Sequence, residues 1–365
     1  MSTGLKLLIA LFTLSMASLG MAQSGPITIV LAQHGIPAND CPKEIMKEFE
    51  ELIVPVHYRH TGTPEQVKRF HELEEIIVHQ PRNLLNDPFW DSSYHIAKVL
   101  KDRTQYPIFV GFNEYCNPTL PDALELAAKT STDRVVVVTP MMTPGGGHPE
   151  RDIPSAIEPI EKKYPQLEIL YAWPKTAEEI EAWIDRSADV IAKQIRKFSK
   201  NGENSPVVLV QHGVMVDGYK RQQLKNLIEL CNQPSPECDH ESQTYFELAK
   251  RNKYWMSSKK MAQSVSQKLN GRQVEFSFNE FAYPTVDQVL KTTAQGTNSK
   301  NVLVITSMLT NGGDHGEIDI PAAIERVGST KNKNGIKTTF NYAWPYDNND
   351  VADYLQTLIE EQLAK

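Results

Sequence analysis

The sequence predicts two tandem α/β domains, each a parallel sheet with helices on both faces. Three observations predict it. Short apolar runs rich in Val, Ile and Leu alternate with amphipathic helical stretches, the pattern of strands buried on both faces of a parallel sheet. The segment 145–154, Gly-Gly-Gly-His-Pro-Glu-Arg-Asp-Ile-Pro, recurs at 312–321 as Gly-Gly-Asp-His-Gly-Glu-Ile-Asp-Ile-Pro, with His148 and His315 in matching places. Three further segments recur in the same order. Gln33-His34-Gly35 returns as Gln211-His212-Gly213, Phe112-Asn113-Glu114 as Phe278-Asn279-Glu280, and Tyr171-Ala172-Trp173-Pro174 as Tyr342-Ala343-Trp344-Pro345.

The first 22 residues are read as a secretory signal peptide. Lys6 supplies a positive start, 7–19 is apolar except for Thr13, Ser15 and Ser18, and Gly20-Met21-Ala22 places small residues at a cleavage site after Ala22. The run is short for a membrane span, no cysteine near the cleavage point suggests a lipoprotein, and no later segment is long and apolar enough to span. The expectation is a periplasmic or secreted protein with no membrane span after signal removal.

The first domain is expected over 23–198. Residues 27–33 form a strand ending at His34-Gly35, and 43–53 a helix. A polar stretch, 54–95, carries His57, His60, His71, His79 and His95, with helical character over 65–79 and breaks at Pro81 and Pro88. Another helix opens over 94–100. A strand over 107–113 leads to Glu114, a helix covers 120–129, and a Val-rich strand at 134–139 ends at the glycine loop. Pro154 suits the first turn of a helix over 153–163. A strand at 167–173 and a long amphipathic helix at 177–198 close the domain. Residues 199–205 read as a polar linker, and the order restarts over 206–365 with strands at 207–211 and 302–307. The stretch after the first strand is longer in the first copy.

With 365 residues, 40% hydrophobic and 23% charged, the chain has the composition of a globular protein long enough for two domains. A net charge of −7 and the lack of a basic stripe argue against a nucleic-acid partner. Export permits disulfides. Cys231 and Cys238 close a short Pro-rich loop and could pair locally, with Cys41 and Cys116 as the remaining pair. Sequence alone fixes neither bond. There is no Cys-x-x-Cys to suggest a thiolate metal site.

The His-Gly steps at His34 and His212, the strand-end Asn-Glu at Glu114 and Glu280, and the Gly-x-His-x₃-Asp-Ile-Pro segments at His148 and His315 together resemble the class II tetrapyrrole chelatases of the CbiX type. These are sirohydrochlorin cobaltochelatases and ferrochelatases. The resemblance implies two flavodoxin-like domains facing each other across a cleft that admits a flat macrocycle. It implies insertion of Co²⁺ or Fe²⁺, as substrate, into sirohydrochlorin or a related tetrapyrrole without a nucleotide. It implies a metal and proton-transfer site made of His34 with His148, or of His212 and His315 with Glu114. A non-catalytic periplasmic carrier of tetrapyrrole or metal is the alternative from a different class.

The residue types suit such chemistry. Neutral imidazole binds borderline divalent ions reversibly and accepts protons near neutral pH. A carboxylate at Glu114 or Glu280 can hold the ion, offset its charge or relay protons. Strand ends bring such groups to one edge of an open α/β sheet, and glycine beside His148 and His315 permits a tight turn and close approach. Arg151 is a candidate partner for a substrate carboxylate, with Ile318 at its place in the second copy. Asp152 and Asp319 read as helix N-caps, and Trp173 and Trp344 as core residues. His57, His60 and His71 read as surface histidines rather than an accessory metal-loading site.

Overall fold

A computed structural model describes residues 25–58, 60–199, 204–332 and 334–365, so the expected signal peptide and most of the linker lie outside the described residues. The first half runs β1 (Gly25–Gln33), α1 (Lys43–Ile53), α2 (Pro64–Val78), α3 (Pro88–Thr104), β2 (Ile108–Phe112), α4 (Leu120–Thr130), β3 (Ser131–Val138), α5 (Ile153–Lys163), β4 (Glu168–Tyr171) and α6 (Ala177–Phe198). The second runs β5 (Val207–Gln211), α7 (Arg221–Leu230), α8 (Pro236–Ala249), α9 (Lys253–Lys268), β6 (Val274–Phe278), α10 (Val286–Gly296), β7 (Asn301–Thr306), α11 (Ile320–Val327), β8 (Thr330–Lys331), β9 (Lys337–Tyr342) and α12 (Asn348–Leu363).

Strand order is β2-β1-β3-β4 in one sheet and β6-β5-β7-β9-β8 in the other. All pairings are parallel except β8 with β9, which is antiparallel through Thr330–Thr338 and Lys331–Lys337. The expectation of a purely parallel second sheet is corrected there. β8 is two residues long and follows α11 closely, so the chain returns as a hairpin.

Alternation along the strands builds the layers. In β1, Val30 and Ala32 face one way and pack with α4 and α5 through Leu124 and Ile157, whereas Ile29 and Leu31 face the other. In β5, Val208 and Val210 pack with α10 and α11 through Leu290 and Ile320. Ile29 and Leu31, with Val207 and Leu209 of β5, share one continuous core with α3, α6, α9 and α12. Four helices, two from each half, thus lie between the sheets. Helix α6 lies along α9, where Lys268 reaches Asp185 at 2.8 Å and Asp189 at 2.9 Å. Helix α3 meets α12, where Arg103 reaches Asp353 at 2.5 Å.

The polar stretch after β1 holds one element the sequence concealed. The break expected at Pro81 and Pro88 falls between α2 and α3, and Pro88 also opens the second of these helices. It occupies the first turn of α3, where its missing N–H costs nothing, and the Asp87 carboxylate accepts from Trp90 N at 2.8 Å as the cap. The helix expected over 94–100 is the middle of this longer one. Cys231 and Cys238 are disulfide-bonded between α7 and α8, while Cys41 and Cys116 are buried thiols, not bonded to each other.

The glycine loops link the halves. A Cβ at Gly145 would lie 2.3 Å from Tyr254 N at the start of α9, and one at Gly312 would lie 2.4 Å from Phe89 N at the start of α3. The close approach that these glycines permit is therefore to the backbone of the opposite half. Beside them Thr310 donates to the Gln33 side chain at 3.1 Å, and Thr143 to that of Gln211 at 2.8 Å.

Candidate metal centre

Each half assembles its site from three chain segments. His34 follows the last residue of β1, Glu114 lies just beyond β2, and His148 opens the segment before α5. Glu114 N donates to His34 O at 2.9 Å and Asn113 N to Gln33 O at 3.0 Å, so the two strand ends are tied together beyond the sheet. In the second half Glu280 N donates to His212 O at 2.9 Å. Gly35 and Gly213, at φ +94° and +117°, make that approach possible: a Cβ there would lie 1.9 Å from Glu114 O and 1.7 Å from Glu280 O. Gly213→Ala is expected to cost at least about 1–3 kcal/mol from backbone strain alone. It should also push Glu280 from its place. A urea midpoint unchanged from wild type would contradict this.

The segments His148–Asp152 and His315–Asp319 are wide turns in which Ile153 N bonds His148 O and Ile320 N bonds His315 O, five residues apart. Such single-turn π segments often mark functional sites. They bring each histidine onto the carboxylate four residues later. His148 Nδ1 lies 2.8 Å from Asp152 Oδ2, and His315 Nδ1 lies 2.7 Å from Asp319 Oδ2. The expectation that these aspartates are N-caps is thus corrected: neither side chain makes a capping hydrogen bond, and both residues have helical backbone angles. Their carboxylates orient imidazoles instead. Asn279 adds to the second site, with Nδ2 2.8 Å from His315 Nδ1 and 3.3 Å from Asp319 Oδ2.

The ligand atoms of His34, Glu114 and His148 lie within 4.8 Å of one another, as do those of His212, Glu280 and His315. In the first set His148 Nε2 is 3.9 Å from Glu114 Oε1, and the His34 and His148 rings meet edge-on with centroids 4.5 Å apart. In the second, Glu280 Oε1 is 3.2 Å from His212 Nε2 and 3.5 Å from His315 Nε2. Glu114 thus lies with the first pair of histidines, and Glu280 with the second. The sets adjoin: the His34 and His212 ring centroids are 6.4 Å apart. Two imidazoles and a carboxylate are a donor set suited to Fe²⁺, Co²⁺ or Zn²⁺.

The histidines divide into two kinds. His34 Nδ1 donates to Gly35 O at 2.5 Å and His212 Nδ1 to Gly213 O at 2.8 Å, which leaves each Nε2 lone pair for an ion. Burial, then the neighbouring His148, hold His34 well below the ordinary imidazole range; burial and His315 lower His212. His148 is buried too, but the Asp152 and Glu114 carboxylates outweigh burial and raise it. His315 is raised in the same way by Glu280 and Asp319. Asp152 is drawn down to about 2: burial acts upward, and His148 and Arg151 outweigh it.

The signs fix a pH dependence. A raised imidazole contributes stability below about pH 6.5 and loses it as pH rises through the folded value, while Asp152 contributes above about pH 3.9 and loses it as pH falls toward 2. A metal must displace the proton from His148 or His315, so Co²⁺ affinity is expected to fall as pH drops below the raised values. Asp152→Asn with Asp319→Asn should move that fall to lower pH. Isothermal titrations across pH 5–8 test this, and an unmoved profile would deny the aspartates their role.

Other residues singled out from sequence lie as follows. Arg151 Nε contacts Asp152 Oδ1 at 2.8 Å, so it braces the carboxylate behind His148. Ile318, its counterpart, is exposed. Trp173 is in the core, whereas Trp344 is half-buried, packs over Gly316 and donates to Glu317 at 3.0 Å. His71 and His79 sit on the surface beside Glu74 and Glu75, and among the described residues only the two triads gather three or more convergent ligands. The side chain of His57 is outside the described residues.

A buried pair that sequence reasoning missed backs the first site. Arg82 meets Asp87 at 2.9 Å and donates to Ile36 O at 2.9 Å, Ile77 O at 2.9 Å and Tyr115 O at 2.5 Å. It therefore ties together the loops that carry His34 and Glu114. Tyr115 has φ +60°, a strained angle for a non-glycine residue immediately after Glu114, and Phe281 repeats it after Glu280 at +56°.

Comparison with known proteins places this geometry. The chain is similar to a sirohydrochlorin ferrochelatase of Priestia megaterium, at 29% identity over 113 residues, 31% of this chain and 40% of the relative. It is similar to sirohydrochlorin cobaltochelatases of Methanocaldococcus jannaschii, at 34% identity over 19% of this chain and 48% of the relative, and of Methanopyrus kandleri, at 44% identity over 17% and 43%. The matched stretches span less than half of each of these relatives. Among solved structures, SirB from Bacillus subtilis with Fe³⁺ shares the fold, with a TM-score of 0.54 at 14% identity over 93% of this chain and 96% of that one. The CbiX family model matches residues 91–189, which hold Glu114 and His148, and 249–362, which hold Glu280 and His315; His34 and His212 lie outside both segments. Matched over more than half its length, this chain belongs to the CbiX family.

Proposed function

We propose that this chain is a chelatase that inserts a divalent metal ion, Co²⁺ or Fe²⁺, into sirohydrochlorin or a closely related tetrapyrrole without a nucleotide, and that it works outside the cytoplasm. The observation that carries the reading is the pair of His₂Glu triads facing each other, with His34 and His212 only 6.4 Å apart. Membership in the CbiX family and the names of the relatives point the same way. For export, the supporting observations are the apolar N-terminal stretch and the Cys231–Cys238 disulfide.

Insertion exchanges two pyrrole N–H protons for one divalent ion, so a site must hold the ion and take protons at the same place. His34 and His212 are kept neutral, with Nε2 free to bind the ion as its waters leave. His148 and His315, the stronger bases, accept the pyrrole protons, and Asp152 and Asp319 stabilise the imidazolium that forms. Glu114 and Glu280 offset the charge of the ion. The macrocycle lies across both halves over the triads, and Arg151, which holds Asp152 at 2.8 Å, is the candidate partner for one of its peripheral carboxylates.

The test mixes the mature protein anaerobically with sirohydrochlorin and Co²⁺ or Fe²⁺ and follows absorbance. Acceleration over the spontaneous rate is the expected result. Tight macrocycle binding with no acceleration would make the protein a carrier instead. Neither binding nor acceleration would refute both readings.

A further inference from the structure

A cavity of about 220 Å³ lies behind the first triad, walled by α1, α2, the Asn113–Tyr115 loop and the start of α5. Its apolar wall includes Phe49, Phe70 and Ile77, and three carboxylates reach it: Glu74, Asp152 and Glu114. They form a gradient inward. The Glu74 side chain is 46% exposed, Asp152 25% and Glu114 19%. The inner end is therefore the triad itself, since Glu114 is one of its three members and Asp152 lies 2.8 Å from His148 Nδ1. Two basic side chains stand at its ends: His71, 3.0 Å from Glu74 at the outer rim, and Arg151, on Asp152 at the inner end.

Two properties mark this cavity as more than a gap in packing. Every lining residue belongs to the first half, and the lining runs from the half-exposed Glu74 to Asp152 and Glu114 beside the triad. Its volume of about 220 Å³ also has room for a divalent ion with its waters, at about 10–15 Å³ of such space per water, but not for a whole tetrapyrrole.

We propose that this cavity is a second access route, by which a hydrated divalent ion reaches Glu114 and the His34–His148 pair while a macrocycle covers the cleft. The inference rests on the chelatase reading and adds to it an order of events. Macrocycle and ion need the same histidines, and a macrocycle bound first would bar an ion approaching through the cleft. The side route removes that conflict. Glu74 collects the ion at the rim, Asp152 and Glu114 draw it inward, and the apolar wall gives it nowhere else to bind. The surface histidine singled out in the sequence, His71, stands at the entrance beside Glu74.

Stopped-flow mixing of Co²⁺ with the full chain, free or pre-loaded with sirohydrochlorin, tests this. Glu74→Gln removes the outer charge and Val78→Phe narrows the cavity; neither alters a triad residue. Each is expected to slow Co²⁺ capture by the loaded protein about fivefold or more, within the range of electrostatic steering. Each should leave the Co²⁺ affinity of the free protein and its affinity for sirohydrochlorin within twofold. Capture by loaded Glu74→Gln and Val78→Phe at the wild-type rate would overturn the proposal, as would equal slowing of free and loaded protein. Wild-type protein that binds neither probe would instead refute the chelatase reading.

Discussion

Replacing His148 and His315 together by alanine is expected to lower the rate of Co²⁺ insertion into sirohydrochlorin by about 10²–10⁴-fold, the usual contribution of a positioned acid–base group. Each histidine stands against two carboxylates that raise its basicity, His148 against Asp152 and Glu114, His315 against Asp319 and Glu280. Removing both leaves His34 and His212, which burial and neighbouring charge hold in the neutral form and which are the poorer bases. Because the triads adjoin, with the His34 and His212 ring centroids 6.4 Å apart, either substitution alone is expected to cost less than the double. The larger single loss identifies the half that does more of the proton transfer. Anaerobic initial rates, read by absorbance against the spontaneous reaction, measure all four proteins. A double variant at the wild-type rate would remove the triads from the mechanism.

The double variant should still bind the macrocycle, because the other four triad residues, His34, Glu114, His212 and Glu280, stay in place. If macrocycle affinity falls with the rate, the histidines act in binding rather than in proton transfer. The two outcomes separate a loss of transition-state stabilisation from a loss of uniform binding.

The sequence showed most of what places the triads and little of what tunes them. His34, Glu114 and His148 stand at strand ends or at the head of a helix, and such positions are readable because apolar runs and Gly-Pro punctuation mark them locally. The recurrence at His212, Glu280 and His315 made each reading twice. Long-range geometry left no local mark. Asp152 has the residue type and position of an N-cap, and only the wide turn beginning at His148 carries its carboxylate to an imidazole instead. The i,i+4 spacing of His and Asp was the one available signal, since four residues return to the same face of a helix. That the two sheets share a single layer of four helices was also out of reach, because α6 and α9, or α3 and α12, are amphipathic whichever half they cover.

Arg82 is the least legible residue of the site and carries the largest expected effect on stability. It lies in a polar stretch beside Pro81 and reads as surface, yet its side chain is 3% exposed and that of Asp87 is 0% exposed. Arg82→Ala would leave the Asp87 carboxylate buried without its cation and strip a donor from Ile36 O, Ile77 O and Tyr115 O. Breaking one side of a buried pair costs about 3–5 kcal/mol, so a large drop in the urea midpoint is expected. Arg82→Met with Asp87→Asn removes both charges together and keeps a side chain able to cap α3 at Trp90 N. It should recover much of the lost stability, since replacing a whole buried pair is often close to neutral. What it cannot recover is the tie between the loops of His34 and Glu114. In a chain whose second triad is removed by His212→Ala and His315→Ala, this pair of changes is therefore expected to weaken Co²⁺ binding by about 10–100-fold, the usual cost of losing an outer partner of a metal ligand. The same changes beside His34→Ala and His148→Ala should leave binding at the second triad unaltered. Equal loss in the two backgrounds would mean that Arg82 supports the fold in general and does not position the first triad.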